Sequence, residues 1–394
     1  MTNKCDVLVI GGGVIGTSVA YSLCKRNYSV MLLERSELAS GTAGATDGYI
    51  TYHTKKPGIH LDMGIQSGGM FDQLAYELHD AAGIDIEYEK NCGSIQVVDR
   101  EEDYPYIASM VKEQHEQTRL DVAMYSIDEL RKIEPALSPS LIGGLYCPTA
   151  GKVNPMKMVF AFAAAAKNLT CKIMENTEVT DLIIQNGRAI GVHTTAGSYY
   201  ADYIVNAAGT WAGNLAKMAG LNIPIKPRRG QILVTETLAP IIKTTMQCAR
   251  TTAIKLNPKM LETLPEKIIR MGTGFCIEQT ADGTLLLGFT REFSGFDRDV
   301  TLEAIDYIAA RAVKFIPALE DVNFIRSFSG LRPYTPDGLP VIGKVDEIEG
   351  FIMAAGHEGD GICLAPLTGE MVAEIISDTE LSFPVENFSY KRFA

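Results

Sequence analysis

The sequence predicts an α/β fold with two domains, of which the second is α+β. Its N-terminal residues have the pattern of a strand at Asp6–Ile10, a helix from Val14 to about Arg26 and a second strand at Val30–Leu33, which is typical of a β-α-β unit. Hydrophobic residues make up 46% of the 394 residues, and this length exceeds what one hydrophobic core usually supports. We therefore expect two lobes.

The rest of the chain departs from a simple alternation of strand and helix. Its patterns predict helices at Leu61–Leu78, Glu101–Arg119 and Leu302–Phe315, strands at Ser94–Val98, Gln231–Thr235 and Thr284–Phe289, a capping box of Ser126 with Glu129, a helix start at Asn154-Pro155 and a hairpin turn at Asn186-Gly187. We expect the poorly patterned stretch Leu238–Arg270 to be loop-rich. The first domain then comprises residues 1–50, 145–225 and 325–394. The second comprises residues 51–144 and 226–324 and is built on a mixed or antiparallel sheet.

The charge balance argues against a nucleic-acid partner. The chain has 36 Lys and Arg residues against 48 Asp and Glu residues, a net charge of −12. Such a chain is repelled by phosphate backbones and by anionic lipid surfaces. No apolar run approaches the ~20 residues that a transmembrane helix needs, and no secretory signal is evident. We therefore expect a cytoplasmic protein without a transmembrane segment.

The cysteines give no sign of a metal site. All eight are scattered along the chain, without a CxxC pair or a Cys/His cluster at metal-binding spacing. We expect neither a disulfide nor a metal ion.

Glycines at the first turn indicate a phosphate-binding loop. Gly11, Gly13 and Gly16 form GxGxxG between the first strand and helix, and Glu34 ends the second strand, where a carboxylate can accept hydrogen bonds from a ribose. The small residues that follow, including Ser40, Gly41 and Thr42, offer backbone and hydroxyl donors. The alternative is an ordinary glycine turn with a surface glutamate. The combination favours a Rossmann-like dinucleotide-binding domain.

Longer motifs occur along nearly the whole chain. They are VIGGGVIG at the start, VNAAGTWA at 205–212, PRRGQ at 227–231, GLRPYTPDGLPVIG at 330–343 and GHEGDGICLAPLTG at 356–369. Together they resemble the D-amino acid oxidase family of FAD-dependent oxidoreductases. The resemblance is greatest to the branch of glycine and sarcosine oxidases and of the flavin subunits of hydrogen cyanide synthase, opine oxidase and proline or hydroxyproline dehydrogenases.

The resemblance implies a non-covalent FAD. Carried over residue by residue, it implies that the cofactor contacts Gly11, Gly13, Val14, Ile15, Gly16, Glu34, Arg35, Ser40, Gly41, Thr42, Val179, Ala207, Ala208, Gly209, Trp211, Gly330, Arg332, Gly356, His357, Glu358, Gly359, Asp360, Gly361 and Ile362. The last seven would approach the isoalloxazine ring, and Val179 the adenine side.

The same resemblance implies a substrate site. Arg332 matches an arginine that forks onto the substrate carboxylate, so we expect it to be the catalytic and substrate-orienting residue. His53, Tyr52 and Arg291 match more loosely as substrate contacts. Cys276 or Phe275 stands where glycine oxidase has an aromatic substrate contact, and Cys363 where sarcosine oxidase has a lysine.

The expected reaction is oxidation of a small amino or imino acid of the D-proline, hydroxyproline, sarcosine or glycine type. Hydride transfer from the α-carbon to flavin N5 would give an imine. The stretch from Glu278 to Asp297 resembles multi-subunit dehydrogenases, which implies a partner subunit with an iron–sulfur or second flavin site. Alternatives are an oxidase that uses O₂ and a flavin-holding subunit without chemistry of its own. An NAD-linked dehydrogenase would leave the motifs at Val205 and Gly356 unexplained.

Overall fold

A computed structural model describes residues 3–272 and 274–393. Its strands are β1 (Lys4–Ile10), β2 (Val30–Leu33), β3 (Tyr49–Ile50), β4 (Ser94–Val98), β5 (Ala123–Ser126), β6 (Gly143–Cys147), β7 (Gly151–Lys152), β8 (Lys172–Met174), β9 (Val179–Gln185), β10 (Arg188–Thr194), β11 (Gly197–Asn206), β12 (Lys226–Thr235), β13 (Thr245–Cys248), β14 (Cys276–Gln279), β15 (Leu285–Gly288), β16 (Phe324–Tyr334), β17 (Val341–Lys344) and β18 (Phe351–Ala355). Its α-helices are α1 (Val14–Lys25), α2 (Ile59–Gly69), α3 (Phe71–Ala82), α4 (Tyr104–Gln117), α5 (Ile127–Ile133), α6 (Pro155–Asn168), α7 (Ala212–Met218), α8 (Arg250–Leu256), α9 (Glu266–Met271), α10 (Leu302–Phe315) and α11 (Gly361–Ser377).

The first sheet brings together three distant parts of the chain. Its strands lie in the order β17-β18-β11-β1-β2-β8, with β10 and β9 added beside β11. The strands β18, β11, β1, β2 and β8 run parallel to their neighbours in this series. The strands β2 and β18 are wholly buried and β1 nearly so, as expected for a parallel sheet with helices on it. The predicted β-α-β unit at the N-terminus is confirmed.

The helix α11 docks on α1 through small residues. The Ser18 hydroxyl donates to the carbonyl of Ala365 over 2.8 Å. A Cβ on Gly369 would lie 2.4 Å from Ser18 Oγ, so only glycine permits this approach. The C-terminal part of the chain is thereby fixed beside the first glycine turn.

The second sheet is mixed but mainly antiparallel, as predicted. Its order is β16-β12-β15-β14-β13-β4-β6-β5. Only β13 and β4 pair in parallel among these described neighbours, with Thr245 opposite Ser94. The helix α10 packs its apolar face on the sheet core, where Phe315 and Phe275 are in contact. The strand β16 pairs with β12 along nearly its whole length. The division into domains stays a prediction. The strand β16 belongs to the second sheet, although nearly all of it falls in the segment 325–394 that we assigned to the first domain.

Several local predictions are confirmed. The capping box is formed, since the Ser126 N–H donates to the Glu129 carboxylate over 2.8 Å. Asn154 accepts from the Lys157 N–H over 3.1 Å at the start of α6. The turn at Asn186-Gly187 joins β9 to β10.

Two local predictions are wrong. The single helix expected over Leu61–Leu78 is two helices that meet at Met70. The glycines at 68 and 69 explain the break, because a Cβ on Gly68 would lie 2.7 Å from the Tyr52 ring, and glycine is a weak helix former.

The stretch Leu238–Arg270 is less loop-like than expected, since it contains β13, α8 and most of α9. The strand β13 is held between β4 and β14, and a non-local pairing of this kind leaves little trace in four residues.

Within residues 3–272 and 274–393, no helix combines the length and the apolar character that crossing a membrane requires. The cytoplasmic location stays a prediction. All eight cysteines are free thiols. In the same described ranges, no three His, Cys, Asp or Glu side chains form a group that could hold a metal ion.

Candidate active site

A deep cavity lies at the carboxyl edge of the parallel sheet. Its wall includes Ile10 at the end of β1, Leu33 at the end of β2, Ala207 just after β11 and Ala355 at the end of β18. This edge is where open parallel sheets bind ligands. The far wall is formed by Gly230 and by neighbouring residues of β16 from the second sheet.

The glycine turn is shaped by close backbone contacts. Gly11 has φ +116°, and a Cβ there would lie 2.4 Å from the carbonyl oxygen of Ala207. A Cβ on Gly16 would lie 1.9 Å from the carbonyl oxygen of Gly11. Gly13 faces the cavity, with no protein atom within 4 Å of where its Cβ would be. The helix α1 starts here without a side-chain cap, so N–H groups of its first turn are free to bind an anion.

Glu34 is held rigidly at the end of β2. Its two carboxylate oxygens accept hydrogen bonds from the N–H of Gly12 over 2.7 Å and from that of Ser36 over 2.9 Å. Next to it, the Arg35 guanidinium lies 3.6 Å from the centre of the Trp211 ring, which stacks on Phe296 at 5.5 Å. The stacked side chains of Arg35, Trp211 and Phe296 thus lie next to the fixed carboxylate of Glu34.

A second helix starts at the same cavity. The loop before α11 bends through Gly356 with φ +84° and Glu358 with φ +48°. The helix begins at Gly361 without a side-chain cap. His357 is fixed by a 3.0 Å contact from its Nε2 to Thr368 Oγ1, and burial lowers the pKa of His357 to about 3, so its ring is neutral. The loop therefore presents backbone donors and the positive end of a helix to the cavity.

Arg332 projects from β16 into the cavity. Its Nη1 donates to the carbonyl of Thr290 over 3.1 Å, and its guanidinium lies 4.5 Å from the centre of the Phe289 ring. Burial lowers the pKa of Arg332 from its usual value, and the nearby Glu358 and Asp47 carboxylates oppose that shift. A Cβ on the facing Gly230 would lie 2.2 Å from Arg332 Nη1, so the guanidinium occupies the space that glycine leaves. Gly230 is within the PRRGQ motif, but sequence reasoning did not assign it to the site.

Most of the predicted cofactor contacts line this one cavity. The exceptions are Gly16, which packs behind Gly11, and Asp360, whose carboxylate pairs with Lys55 over 2.8 Å. The members that line it are Gly11, Gly13, Val14, Ile15, Glu34, Arg35, Ser40, Gly41, Thr42, Val179, Ala207, Ala208, Gly209, Trp211, Gly330, Arg332, Gly356, His357, Glu358, Gly359, Gly361 and Ile362.

The other predicted substrate contacts lie in different surroundings and do not form one group. The Arg291 guanidinium lies 4.9 Å from the centre of the Phe289 ring, which Arg332 also contacts. Cys276 is buried, with its thiol 3.4 Å from Asp47 Oδ2. Tyr52 packs on α2, with its hydroxyl 3.5 Å from Thr149 Oγ1, and His53 is completely buried. Of the predicted substrate contacts, only Arg332 is among the described residues that line the cavity; Arg291, Cys276, Tyr52 and His53 are not.

The architecture and these residues fit one kind of cofactor. Two uncapped helix N-termini, a glycine turn and a fixed carboxylate suit a ligand with a pyrophosphate and a ribose. A family model described as FAD dependent oxidoreductase matches residues 6–375. The chain belongs to this family. FAD is therefore its cofactor, as predicted.

Relatives of this oxidoreductase span its full length. A glycine oxidase of Geobacillus kaustophilus is 30% identical over all of this chain and 98% of its own length. The hydrogen cyanide synthase subunit HcnC of Pseudomonas aeruginosa is also 30% identical, over all of this chain and 97% of its own. The crystal structure of the Geobacillus enzyme superposes with a TM-score of 0.89, covering 99% of each chain at 29% identity. That of an L-proline dehydrogenase from P. horikoshii gives 0.86 at 26% identity, covering 100% of this chain and 98% of its own. The Rossmann-like fold and the predicted family branch are confirmed.

Two buried carboxyl groups in the oxidoreductase were missed from the sequence. Glu278 on β14 accepts a hydrogen bond from the Gly48 N–H over 3.1 Å, and burial raises the pKa of Glu278 to about 8. Burial also raises the pKa of Asp47, which the nearby Arg332 opposes. Asp47 lies outside the motifs, and the stretch that begins at Glu278 was assigned to partner binding, not to the site. The two residues are brought together by contacts between distant parts of the chain.

Proposed function

We propose that this oxidoreductase removes two electrons from the carbon beside the nitrogen of a small amino or imino acid, of the glycine, sarcosine or proline type. The observation that supports this most is Arg332, a cation with a fixed position in the wall of the FAD cavity and no carboxylate partner within hydrogen-bonding distance among the described residues. A planar guanidinium in such a place suits a bidentate grip on a carboxylate.

The chain's own residues would act mainly by orientation. Thr290 and Phe289 fix the Arg332 guanidinium, so a substrate carboxylate bound to it is held at a set distance from the cavity wall. The neutral His357 and the backbone donors of the loop before α11 add polarity, and the Glu358 carboxylate of that loop is paired with Arg228. FAD, held without a covalent bond, supplies the two-electron acceptor. The substrate amine must be unprotonated for oxidation, and no side chain is assigned as its base.

We further propose that the electrons leave to a partner subunit. The support is the relative named as a subunit of hydrogen cyanide synthase, together with two exposed aromatic side chains in the stretch 278–297. Phe293 is 62% exposed and Phe296 is 44% exposed, and Phe296 stacks on Trp211 of the cavity wall, which suits a docking surface. The competing proposal is direct use of O₂, which the likeness to glycine oxidase supports.

The proposal is tested by anaerobic titration of the purified FAD-loaded protein. Glycine, sarcosine, D- and L-proline and their hydroxylated forms are added while the flavin absorbance is followed. We expect one of them to bleach the flavin and Arg332→Ala to slow bleaching by about 100-fold or more, since a charged hydrogen-bonded contact is lost. Arg326→Ala is the matched control, because Arg326 is an exposed residue of the same strand.

The outcomes separate the alternatives. Failure of every amino acid to bleach the flavin would favour a flavin-holding subunit without chemistry of its own. If bleaching occurs, admission of air distinguishes the acceptors: reoxidation within seconds indicates an oxidase, and slow reoxidation indicates a dehydrogenase that needs its partner.

A further inference from the structure

We infer that Arg229 is a positioning residue for the cofactor, because it holds segment 292–299 so that Phe296 packs on Trp211 in the wall of the FAD cavity. Loosening this contact should speed the release of FAD. The segment lies between β15 of the second sheet and α10, whereas Trp211 follows β11 of the first sheet. Arg229 belongs to the PRRGQ motif, and the proposed function gives it no role. The effect on FAD does not depend on which substrate is oxidised.

The start of the segment is tied to β12 by backbone and side-chain hydrogen bonds of Arg229. The Arg229 N–H donates to the Glu292 carbonyl over 2.8 Å, and the Glu292 N–H donates back to the Arg229 carbonyl over 2.9 Å. Arg229 Nη2 donates to the Glu292 carboxylate over 2.8 Å. Arg229 is 5% exposed and Glu292 is 8% exposed, so this ion pair is shielded from salt and water. The first residue of the segment therefore has a fixed position.

The end of the segment is tied to the same guanidinium. Arg229 Nη1 donates to the Asp297 carboxylate over 2.5 Å and to the carbonyl of Asp299 over 3.0 Å. The Ser329 hydroxyl of β16 adds a 2.5 Å hydrogen bond to the carbonyl of Arg298. A planar guanidinium presents its donors in fixed directions, which suits one cation to two carboxylates. Arg229 thus sets the position of both ends of the segment.

Phe296 connects the segment to the cofactor cavity. Its ring stacks on that of Trp211, with the centroids 5.5 Å apart and the planes at 24°. Trp211 lines the cavity, as does Arg35, whose guanidinium lies 3.6 Å from the centre of the Trp211 ring. Phe296 is not among the described residues that line it. Stacked rings stabilise each other beyond the apolar area that they bury. Phe296 therefore acts on the cavity through Trp211.

The middle of the segment has open surroundings. Gly295, next to Phe296, has φ +65°, and no atom beyond its chain neighbours lies within 4 Å of where its Cβ would be. Phe296 is itself 44% exposed. The position of the Phe296 ring therefore depends on the ends of the segment and on Trp211. If Arg229 releases Asp297, the ring is free to leave Trp211, and the cavity wall loses that contact.

The test measures the release of FAD, not turnover. The FAD-loaded protein is diluted, and the appearance of free FAD is followed by its fluorescence. We expect Phe296→Ala to release FAD about fivefold faster than the parent, the factor that a stacked aromatic pair supports. Phe296→Tyr keeps the ring and should release FAD at a rate close to that of the parent.

Asp297→Asn tests the role of Arg229 at an exposed side chain. Asparagine keeps the oxygen that accepts from the Asp299 N–H but removes the charge that pairs with Arg229. We expect about threefold faster release of FAD. Asp299→Asn is the matched control, because it makes the same change of charge in the same segment, and in the described structure Arg229 bonds to the Asp299 carbonyl and not to its carboxylate. It should release FAD at the parent rate.

A double variant separates a positioning role from a merely structural one. If Arg229 acts through Phe296, adding Asp297→Asn to Phe296→Ala brings no further increase in rate, because the contact that Arg229 positions is already lost. Independent effects would instead multiply to about fifteenfold. Multiplied effects would overturn the inference, as would an unchanged rate in Phe296→Ala or equal rates in Asp297→Asn and Asp299→Asn.

Discussion

Arg332 has its position because a neighbour lacks a side chain. The facing Gly230 of β12 leaves room for the guanidinium, and Phe289 and Thr290 hold it there. The position of the Arg332 guanidinium thus depends on a neighbouring residue of the cavity wall that has no side chain of its own.

Gly230→Ala should therefore weaken carboxylate binding. Its new Cβ would lie 2.2 Å from Arg332 Nη1, so the guanidinium must move. We expect the Kd of acetate, measured from the flavin spectrum, to rise about tenfold or more, while the protein keeps its FAD. Gly69→Ala, where no atom lies within 4 Å of the added Cβ, is the control. An unchanged Kd in Gly230→Ala would show that Arg332 does not bind the ligand.

Glu278 should make stability depend on pH. The pKa of this buried carboxyl is raised from 4.5 to about 8, so the folded protein holds a proton that the unfolded chain has released. The protonated Glu278 therefore contributes fully to the free energy of unfolding below pH 4.5. This contribution is lost as pH rises towards 8, and the free energy of unfolding falls by at most about 1.4 kcal/mol per pH unit.

Glu278→Gln keeps an acceptor for the Gly48 N–H but cannot ionise. We expect its free energy of unfolding in urea to exceed that of the parent by a margin that grows between pH 5.5 and pH 7.5. Parallel pH profiles for the two proteins would mean that Glu278 ionises normally in the fold.

Among the elements, α1 packs closely against the first glycine turn. Its third residue, Gly16, packs against the carbonyl of Gly11, and its start points uncapped at the cavity. Helix and turn can be this close only without a side chain at the contact.

Gly16→Ala should release the cofactor. The added methyl would lie 1.9 Å from Gly11 O and must push the turn away from the helix. We expect the purified variant to contain less than about a tenth of the parent's FAD, a loss of more than about 1.4 kcal/mol in binding. The ratio of flavin to protein absorbance measures this, with Gly69→Ala again as the comparison. A full complement of FAD would show that the turn can relax.

Elements that depend on neighbouring residues could be predicted from the sequence, and those that depend on distant parts of the chain could not. The helix α10 was predicted to the residue because its apolar face repeats regularly and Thr301 caps it. The cofactor glycines were predicted because their spacing reflects a local turn. Gly230, Asp47 and Glu278 were not predicted. Gly230 and Glu278 lie on β12 and β14, which are placed by pairing between distant strands, and Asp47 contacts Cys276 of β14. Likewise, α2 and α3 look continuous until Tyr52 packs against Gly68.

At the scale of the whole molecule, the cavity joins segments that are far apart in the chain. Its walls come from the N-terminal unit, the turn after β11, β12, β16 and the start of α11. A ligand that fills it links both sheets, and a ligand that binds only the folded state stabilises it by mass action.

Removal of FAD should consequently destabilise the entire fold. We expect the apoprotein to melt at a lower temperature than the holoprotein, and added FAD at about a thousandfold excess over Kd to restore about 4 kcal/mol. Differential scanning calorimetry at several FAD concentrations measures the shift. A Tm independent of FAD would indicate that the two sheets are already fixed to each other without it.

Trp211, stacked between Arg35 and Phe296 in the cavity wall, is the sole tryptophan of the chain. Its ultraviolet emission overlaps the absorption of an oxidised flavin, so a flavin in the cavity would quench that emission by energy transfer. The molecule thus contains a built-in fluorescent reporter, with no background from other indoles. Cofactor loading and, through the lower absorbance of reduced flavin, turnover itself could be followed without any added label.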